Sequence, residues 1–381
     1  ARFAWPMGDE PFSVSGRFRR AEVPRALCPR LKRHSDPPPM SERERRFPIG
    51  AQVRLADLDI DPYPILSKLR AEEPVSWVPE TGMWFVTRRA DVVEVLRDAR
   101  RFTTEAERST IRDIFGAHMM TTDGEVALRY KRACLYAFRA DTLLRSKGAW
   151  VEDRARHLCE GAGRDIELMR DIATPLAVAS ALRVLGLPED LAGQLTEWYD
   201  DFAAALANFT GNPDVRAAGK SAARAFDAAV RPLLHPGGVD RGLLADLAGA
   251  QEADRLTDDE IIANALIVLF GGIETTASQI GNTVWALLHT DRWGWFCQDR
   301  TRATAVIEEA LRWQPAVQSI TRHTTEAVEL HGVTIPEGSV VQSMIGGANR
   351  DPEHFGRPDT FDPERQDAED HLSFGTGRHL C

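Results

Sequence analysis

The sequence has no CxxC pair. Its five cysteines, Cys28, Cys134, Cys159, Cys297 and Cys381, lie far apart, and an odd, widely spaced set does not make a secreted disulfide framework. Its ten histidines include no HExxH run and no paired Cys/His zinc pattern. Excess positive charge is missing too. With 57 acidic and 47 basic residues the net charge is −10, the reverse of what a nucleic-acid binder carries. No long apolar run goes uninterrupted. The longest, IIANALIVLFGGIETTA at 261–277, is broken by Asn264 and Glu274, which is too short and too polar at its ends for a membrane span. Arg19-Arg20 is followed by RALCPRLKRHSDPPP rather than an apolar stretch, which argues against a twin-arginine signal. Together these absences point to a cytoplasmic protein.

What remains is ordinary globular text. In 381 residues, 43% are hydrophobic and 27% charged, room for one large domain or several small ones. Residues 1–39 differ: they are arginine-rich, end in Pro37-Pro38-Pro39 and lack steady periodicity. They read as a disordered extension, with Met40 as the expected translation start and 40–381 as the domain. From residue 63 to 100 the pattern gives a helix, a hairpin turning at Glu80-Thr81-Gly82, and a second helix. Several helices follow between 125 and 235, with a stop at Gly186-Leu187-Pro188. Thr257 and Glu260 form a capping-box pair. They open a helix expected to reach about His289, roughly 45–50 Å long and apolar enough at its middle to cross the core. After Pro315 the composition turns to strands and turns, a small β lobe. The fold class is mainly α with a smaller β lobe.

Two stretches carry chemistry. HLSFGTGRHLC, 371–381, presents one thiol behind two glycines, a phenylalanine and a basic pair. Gly375 and Gly377 permit positive φ and close approach to a large flat ligand. Arg378 and His379 offer donors for acid groups, and a cysteine thiolate ligates metal. An isolated cysteine is ordinarily a small buried hydrophobe, which is the reading for the other four. The second stretch, FGGIETTA at 270–277, sets Gly271 and Gly272 in mid-helix, where each costs about 1 kcal/mol against alanine. Close helix packing is one reason for such a pair; room beside the backbone and a local kink is the other. Glu274 and Thr275 then place a carboxyl and a hydroxyl at that gap.

The pattern FGxGxHxC closely resembles the haem-binding loop of the cytochrome P450 family. The upstream GGxETT, with Thr276 completing it, resembles that family's oxygen-binding stretch. The resemblance covers roughly Met40 to Cys381. It implies haem b with Cys381 as the iron ligand, His379 and Arg322 at the propionates, and Phe374 packed beside the thiolate. It further implies that Thr275 hydrogen-bonds the bound dioxygen and a relay water while Glu274 passes protons from solvent, an acid–alcohol pair suited to splitting O–O. The thiolate pushes electron density toward the same cleavage. Glu309 and Arg312 match the family's ExxR, with Arg365 as third member of a buried brace. One site departs: where the family commonly has HxxxR, this chain has Ala127 and Lys131. Lysine still pairs with a carboxylate, as a point charge without a fork, and Arg129 or Arg132 lies near enough to substitute. The family continues past its cysteine into a helix, so the sequence is expected to be incomplete at the ligand.

The implied activity is a haem-thiolate monooxygenase. It inserts one atom of O2 into a largely apolar small molecule, with electrons from NAD(P)H through a ferredoxin-type partner and its reductase. Neither a nucleic acid nor a membrane span is expected. Other oxidations on the same haem (coupling, desaturation, a peroxide-driven reaction) and a non-catalytic haem-thiolate binder are the alternatives; Glu274-Thr275 favours the O2 route. Phe115, Met119, Met120, Leu266 and Val317 suggest an apolar pocket, though such residues at such spacing are as readily plain core.

Overall fold

The hairpin read from residues 75–86 is the edge of a sheet whose next two strands come from the far end of the chain. The computed structural model describes residues 41–381 apart from 106–108, 136–139, 163–164, 209–210, 236 and 250–254. The expected extension over 1–39 lies outside the described residues. Ser41 closes a capping box on α1 (Glu42–Arg46), and α2 (Leu55–Ile60) and α3 (Tyr63–Glu72) follow. Strands β1 (Val75–Val78) and β2 (Met83–Val86) pair antiparallel, and α4 (Arg89–Arg97) leaves the hairpin. Helix, hairpin and helix stand as the sequence indicated. A short β3 (Phe102–Thr103) leads to α5 (Thr110–Phe115), which Ser109 caps.

The helical part runs through α6 (Gly124–Leu135), α7 (Ala140–Gly161), α8 (Thr174–Leu185), α9 (Ala192–Leu206), α10 (Pro213–Val230) and α11 (Leu243–Ala248). Helix α8 stops at Gly186, which takes the left-handed conformation that ends many helices. Then comes α12 (Asp258–His289), 32 residues with both capping-box bonds in place at Thr257 and Glu260. Its first half is buried almost continuously from Ile261 to Ile267, with Leu269, Ile273 and Ala277 beyond, in a cluster shared with α8, α9, α10 and α11. By length and composition α12 could cross a membrane; half of its apolar window is buried inside the protein. The helix is continuous through Gly271-Gly272. There the Thr275 hydroxyl donates to the Gly271 carbonyl one turn earlier.

Helices α13 (Trp293–Gln298) and α14 (Ala303–Trp313) precede the β lobe of β4 (Ile320–Thr324), β5 (Val328–Leu330), β6 (Val333–Ile335) and β7 (Val340–Ser343), and α15 (Ile345–Ala348) closes it. The large sheet has the order β1-β2-β7-β4-β3, with β2 and β7 parallel and β5-β6 a separate pair. Beneath it the ExxR brace forms as expected. Glu309 and Arg312 are fully buried, joined by two hydrogen bonds of 2.7 and 2.8 Å. Arg365 Nε lies 3.0 Å from Glu309 Oε2. Three backbone carbonyls, of Asn349, Pro358 and Thr360, accept the remaining Arg312 donors. Removing the Glu309 carboxylate would leave the Arg312 guanidinium buried and uncompensated, at about 3–5 kcal/mol. Asn349 carries this frame onward: its side chain bonds Ser373 Oγ at 2.9 Å and accepts the Leu372 N–H at 2.7 Å. The cysteine loop starts there.

Candidate functional site

The loop is built from its own backbone. Gly375 at φ +70° donates to the Leu372 carbonyl, and the Cys381 N–H returns to the Phe374 carbonyl at 3.0 Å. Gly377 sits at φ +78°, and a Cβ there would lie 2.6 Å from the Leu96 carbonyl oxygen. Only glycine lets the loop lie this close to the end of α4, where Arg97 Nε also reaches Thr376 Oγ1 at 3.1 Å. Cys381 is exposed. Desolvation by the protein around it pushes its thiol up, and the Lys131 charge pulls the other way. Phe374 is 48% exposed, and its ring tilts against His371 at 5.5 Å. Its backbone carbonyl is what reaches Cys381.

Three donors surround the loop. His379 is buried, and its Nε2 meets Asp123 Oδ1 at 2.9 Å and Thr104 Oγ1 at 3.4 Å, while its Nδ1 is buried with no partner among the described residues. Burial alone would raise the Asp123 carboxyl. Hydrogen bonds from His379, from the Thr103 hydroxyl and from the Thr104 N–H outweigh it and hold that group well below the usual carboxylate range. Arg322, on β4, is 4% exposed, bonds the Thr321 carbonyl at 2.8 Å, and faces no carboxylate in ion-pair range among the described residues. Burial lowers its guanidinium to about 10, Asp123 opposing. Lys131, on α6, donates to the carbonyls of Arg378 and Leu380, and burial lowers its pKa as well. A buried guanidinium without a counter-ion is costly unless an anion completes it, and a buried ring nitrogen is costly without a hydrogen-bond partner. The donor set fits the two carboxylates of haem, and the thiol fits its iron.

Ala127, at the family's histidine position, is buried. Arg129 cannot substitute: it is committed to Glu260 and to the Arg255 carbonyl at the start of α12.

The middle of α12 is joined to the loop on two sides. Ala316 N–H donates to Gln279 Oε1 at 3.0 Å, and Ile320 Cδ1 lies 3.3 Å from where a Gly375 Cβ would sit. On the other side Met119 N–H donates to Asn264 Oδ1 at 3.0 Å, in the segment that ends at Asp123. At Gly271 and Gly272 a Cβ would meet nothing within 4 Å, so close packing is not the reason for these glycines. The face is open. With its proton committed to Gly271, the Thr275 hydroxyl keeps its lone pairs as acceptors. Glu274 is exposed and takes a hydrogen bond from Tyr199 of α9 at 2.8 Å.

Of the apolar candidates, Phe115 and Leu266 are core residues, with Met119 and Met120 packed against them. Phe115 meets Phe202 edge-on at 5.1 Å and Phe270 at 5.7 Å. Sequence reasoning missed Asp123, Tyr199 and His118. His118 is fully buried, its Nδ1 accepts the Met120 N–H at 3.2 Å, and its Nε2 has no partner among the described residues. Burial lowers it to about 3, with Arg112 adding to the shift. Asp123 stands four residues before Ala127, within the very segment searched for propionate donors, and only its carboxylate character hid it.

Helices gathered on one long central helix, a small mixed sheet, and a cysteine loop near a buried guanidinium without a counter-ion are the frame of a haem-thiolate protein. The family described as Cytochrome P450 matches residues 297–381. Vitamin D(3) 25-hydroxylase of Pseudonocardia autotrophica is 32% identical over 339 residues, spanning 84% of this chain and 81% of that protein. Cytochrome P450 monooxygenase PikC of Streptomyces venezuelae is 32% identical over 343 residues, 85% and 80% of the two chains. The crystal structure of P450BioI in complex with an acyl carrier protein ligated to hexadec-9Z-enoic acid superposes with a TM-score of 0.78 at 27% identity, over 86% of this chain and 88% of that one. This chain belongs to the cytochrome P450 family. It is a haem-thiolate monooxygenase of bacterial type, using O2 and electrons passed on from a reductase.

Proposed function

We propose that Cys381 is the thiolate ligand of haem b and that Arg322, His379 and Lys131 hold its propionates. Gly375 and Gly377 let the loop approach the ring, and Phe374 shields one side. Bound haem supplies the iron centre at which O2 is activated. The chain's own groups do the rest. Gly271 and Gly272 keep the α12 face clear, Thr275 accepts a hydrogen bond from water or from the reacting ligand, and Glu274 exchanges protons with solvent. The substrate is a largely apolar small molecule, admitted beside Phe115, Phe202 and Phe270. Electrons come from NAD(P)H through a ferredoxin-type partner, which meets exposed basic residues such as Arg378 near the loop. The setting is cytoplasmic.

The observation that carries this reading is the buried Arg322 guanidinium, which faces no carboxylate in ion-pair range among the described residues, near the cysteine loop. Its test is Cys381→Ser in the haem-loaded protein. The reduced, carbon monoxide-bound spectrum should lose the long-wavelength Soret band that thiolate ligation gives, and hydroxylation should stop. Retention of that band by the serine variant would refute the assignment.

A further inference from the structure

Tyr199 ties the proposed proton carboxylate to α9, the helix that also carries Phe202. Its phenol donates to Glu274 Oε2 at 2.8 Å, and among the described residues it is the one side chain that hydrogen-bonds Glu274. The ring also stacks on Phe270, centroids 5.6 Å apart and planes 16° from parallel. Phe270 precedes Glu274 by one turn on α12, so both contacts of Tyr199 fall on one face of that helix. Phe270 in turn touches Phe115, and Phe115 meets Phe202, which follows Tyr199 by one turn on α9. The four rings form a circuit of three contacts between α5, α9 and α12, whose two ends, Tyr199 and Phe202, lie one turn apart on α9. Burial and the Glu274 charge both push the phenol's pKa up, so it stays a donor at working pH.

In this arrangement the acid and the alcohol are not joined. Glu274 is held toward α9, while the Thr275 hydroxyl is turned back to Gly271. A hydrogen bond of this kind is lost when its heavy atoms separate beyond about 3.5 Å, so a shift of α9 by less than 1 Å breaks it. A substrate pressing on Phe202, or on Phe115 of α5 that packs against it, acts on the same helix.

We propose that Tyr199 is a positioning residue that parks the Glu274 carboxylate on α9 until a substrate displaces the ring circuit and frees it for proton exchange. This rests on the reading of Glu274 as the proton-carrying carboxylate. It makes the empty enzyme slow to deliver protons, so that reducing equivalents are kept for occasions when a substrate is in place.

The experiment uses the haem-loaded protein with its redox partners and compares the parent with Tyr199→Phe, Glu274→Gln and the double variant. Two quantities are read: nicotinamide oxidised and hydrogen peroxide released without substrate, and hydrogen exchange of α9 amides in the resting ferric protein. Tyr199→Phe should raise the substrate-free oxidation by about tenfold, the worth of one hydrogen bond to a charged group, and should lower the product formed per nicotinamide. Glu274→Gln should suppress turnover and abolish that rise in the double variant. Protection of α9 should fall in both single variants and no further in the double. If Glu274→Gln leaves turnover unchanged, the carboxylate's role fails, and this proposal with it. If Glu274→Gln suppresses turnover while Tyr199→Phe matches the parent in oxidation and exchange, only the parking role is overturned.

Discussion

Two glycines show how differently one residue type serves this site. Gly377 takes φ +78° against the Leu96 carbonyl, so Gly377→Ala forces both strain and a clash. It should cost about 1–3 kcal/mol, read as an earlier midpoint in denaturant unfolding, and weaken haem retention. Gly271 is helical with open space beside it. Gly271→Ala should therefore stabilise α12 by about 1 kcal/mol while its methyl intrudes on the reaction face, raising the melting temperature as substrate-induced Soret shifts shrink. At this scale the sequence was legible wherever spacing is local. Cys381 announced itself through neighbours at fixed offsets, and Glu309 and Arg312 lay one turn apart. Asp123 and Tyr199 gave no such signal, because their partners, His379 and Glu274, stand 256 and 75 residues away. Nothing short in range links those positions.

Elements were legible where a cap or a period marks them. Thr257 and Glu260 announced α12, and the hairpin turn announced β1 and β2. What could not be read is how elements are clamped to one another. Asp113, on α5, is an example: hydrogen bonds from Arg216 and then Lys220, both on α10, outweigh burial and lower its carboxyl to about 2. The folded state thus binds fewer protons than the unfolded chain between the ordinary carboxylate range and pH 2, and stability rises with pH there. The clamp's contribution should be complete above about pH 4 and disappear as pH falls toward 2. Asp113→Asn should flatten that part of the unfolding free energy against pH, and an unchanged profile would show that the clamp is not coupled to folding. Glu260 shows a second kind of sharing. Besides closing the cap it accepts from Arg129 and Tyr130 of α6, so one carboxylate starts the central helix and anchors the helix that carries Lys131. The sequence showed the first role alone.

Across the whole molecule, the fold class was readable and the sheet was not. A strand run gives its own face but not its neighbours, and β2 lies between β1 and a strand more than two hundred residues later. The pairing matters for the site, because β7 also flanks β4, which carries Arg322. Phe85 is 3% exposed in β2 opposite Gln342. Phe85→Ala should cost about 3–5 kcal/mol, and the Soret band and far-ultraviolet circular dichroism should fall in one coincident transition. Separate transitions would mean that cofactor and sheet are not one cooperative unit.

The parallel register of β2 and β7 also has a consequence for biosynthesis. Val86 must wait for Ser343, and at about 5–20 residues per second the emerging hairpin stands with an open edge for tens of seconds. Trp84 and Phe85 lie on that edge, so the nascent polypeptide is at its most adhesive during this interval. Ribosome-associated chaperones have reason to visit there.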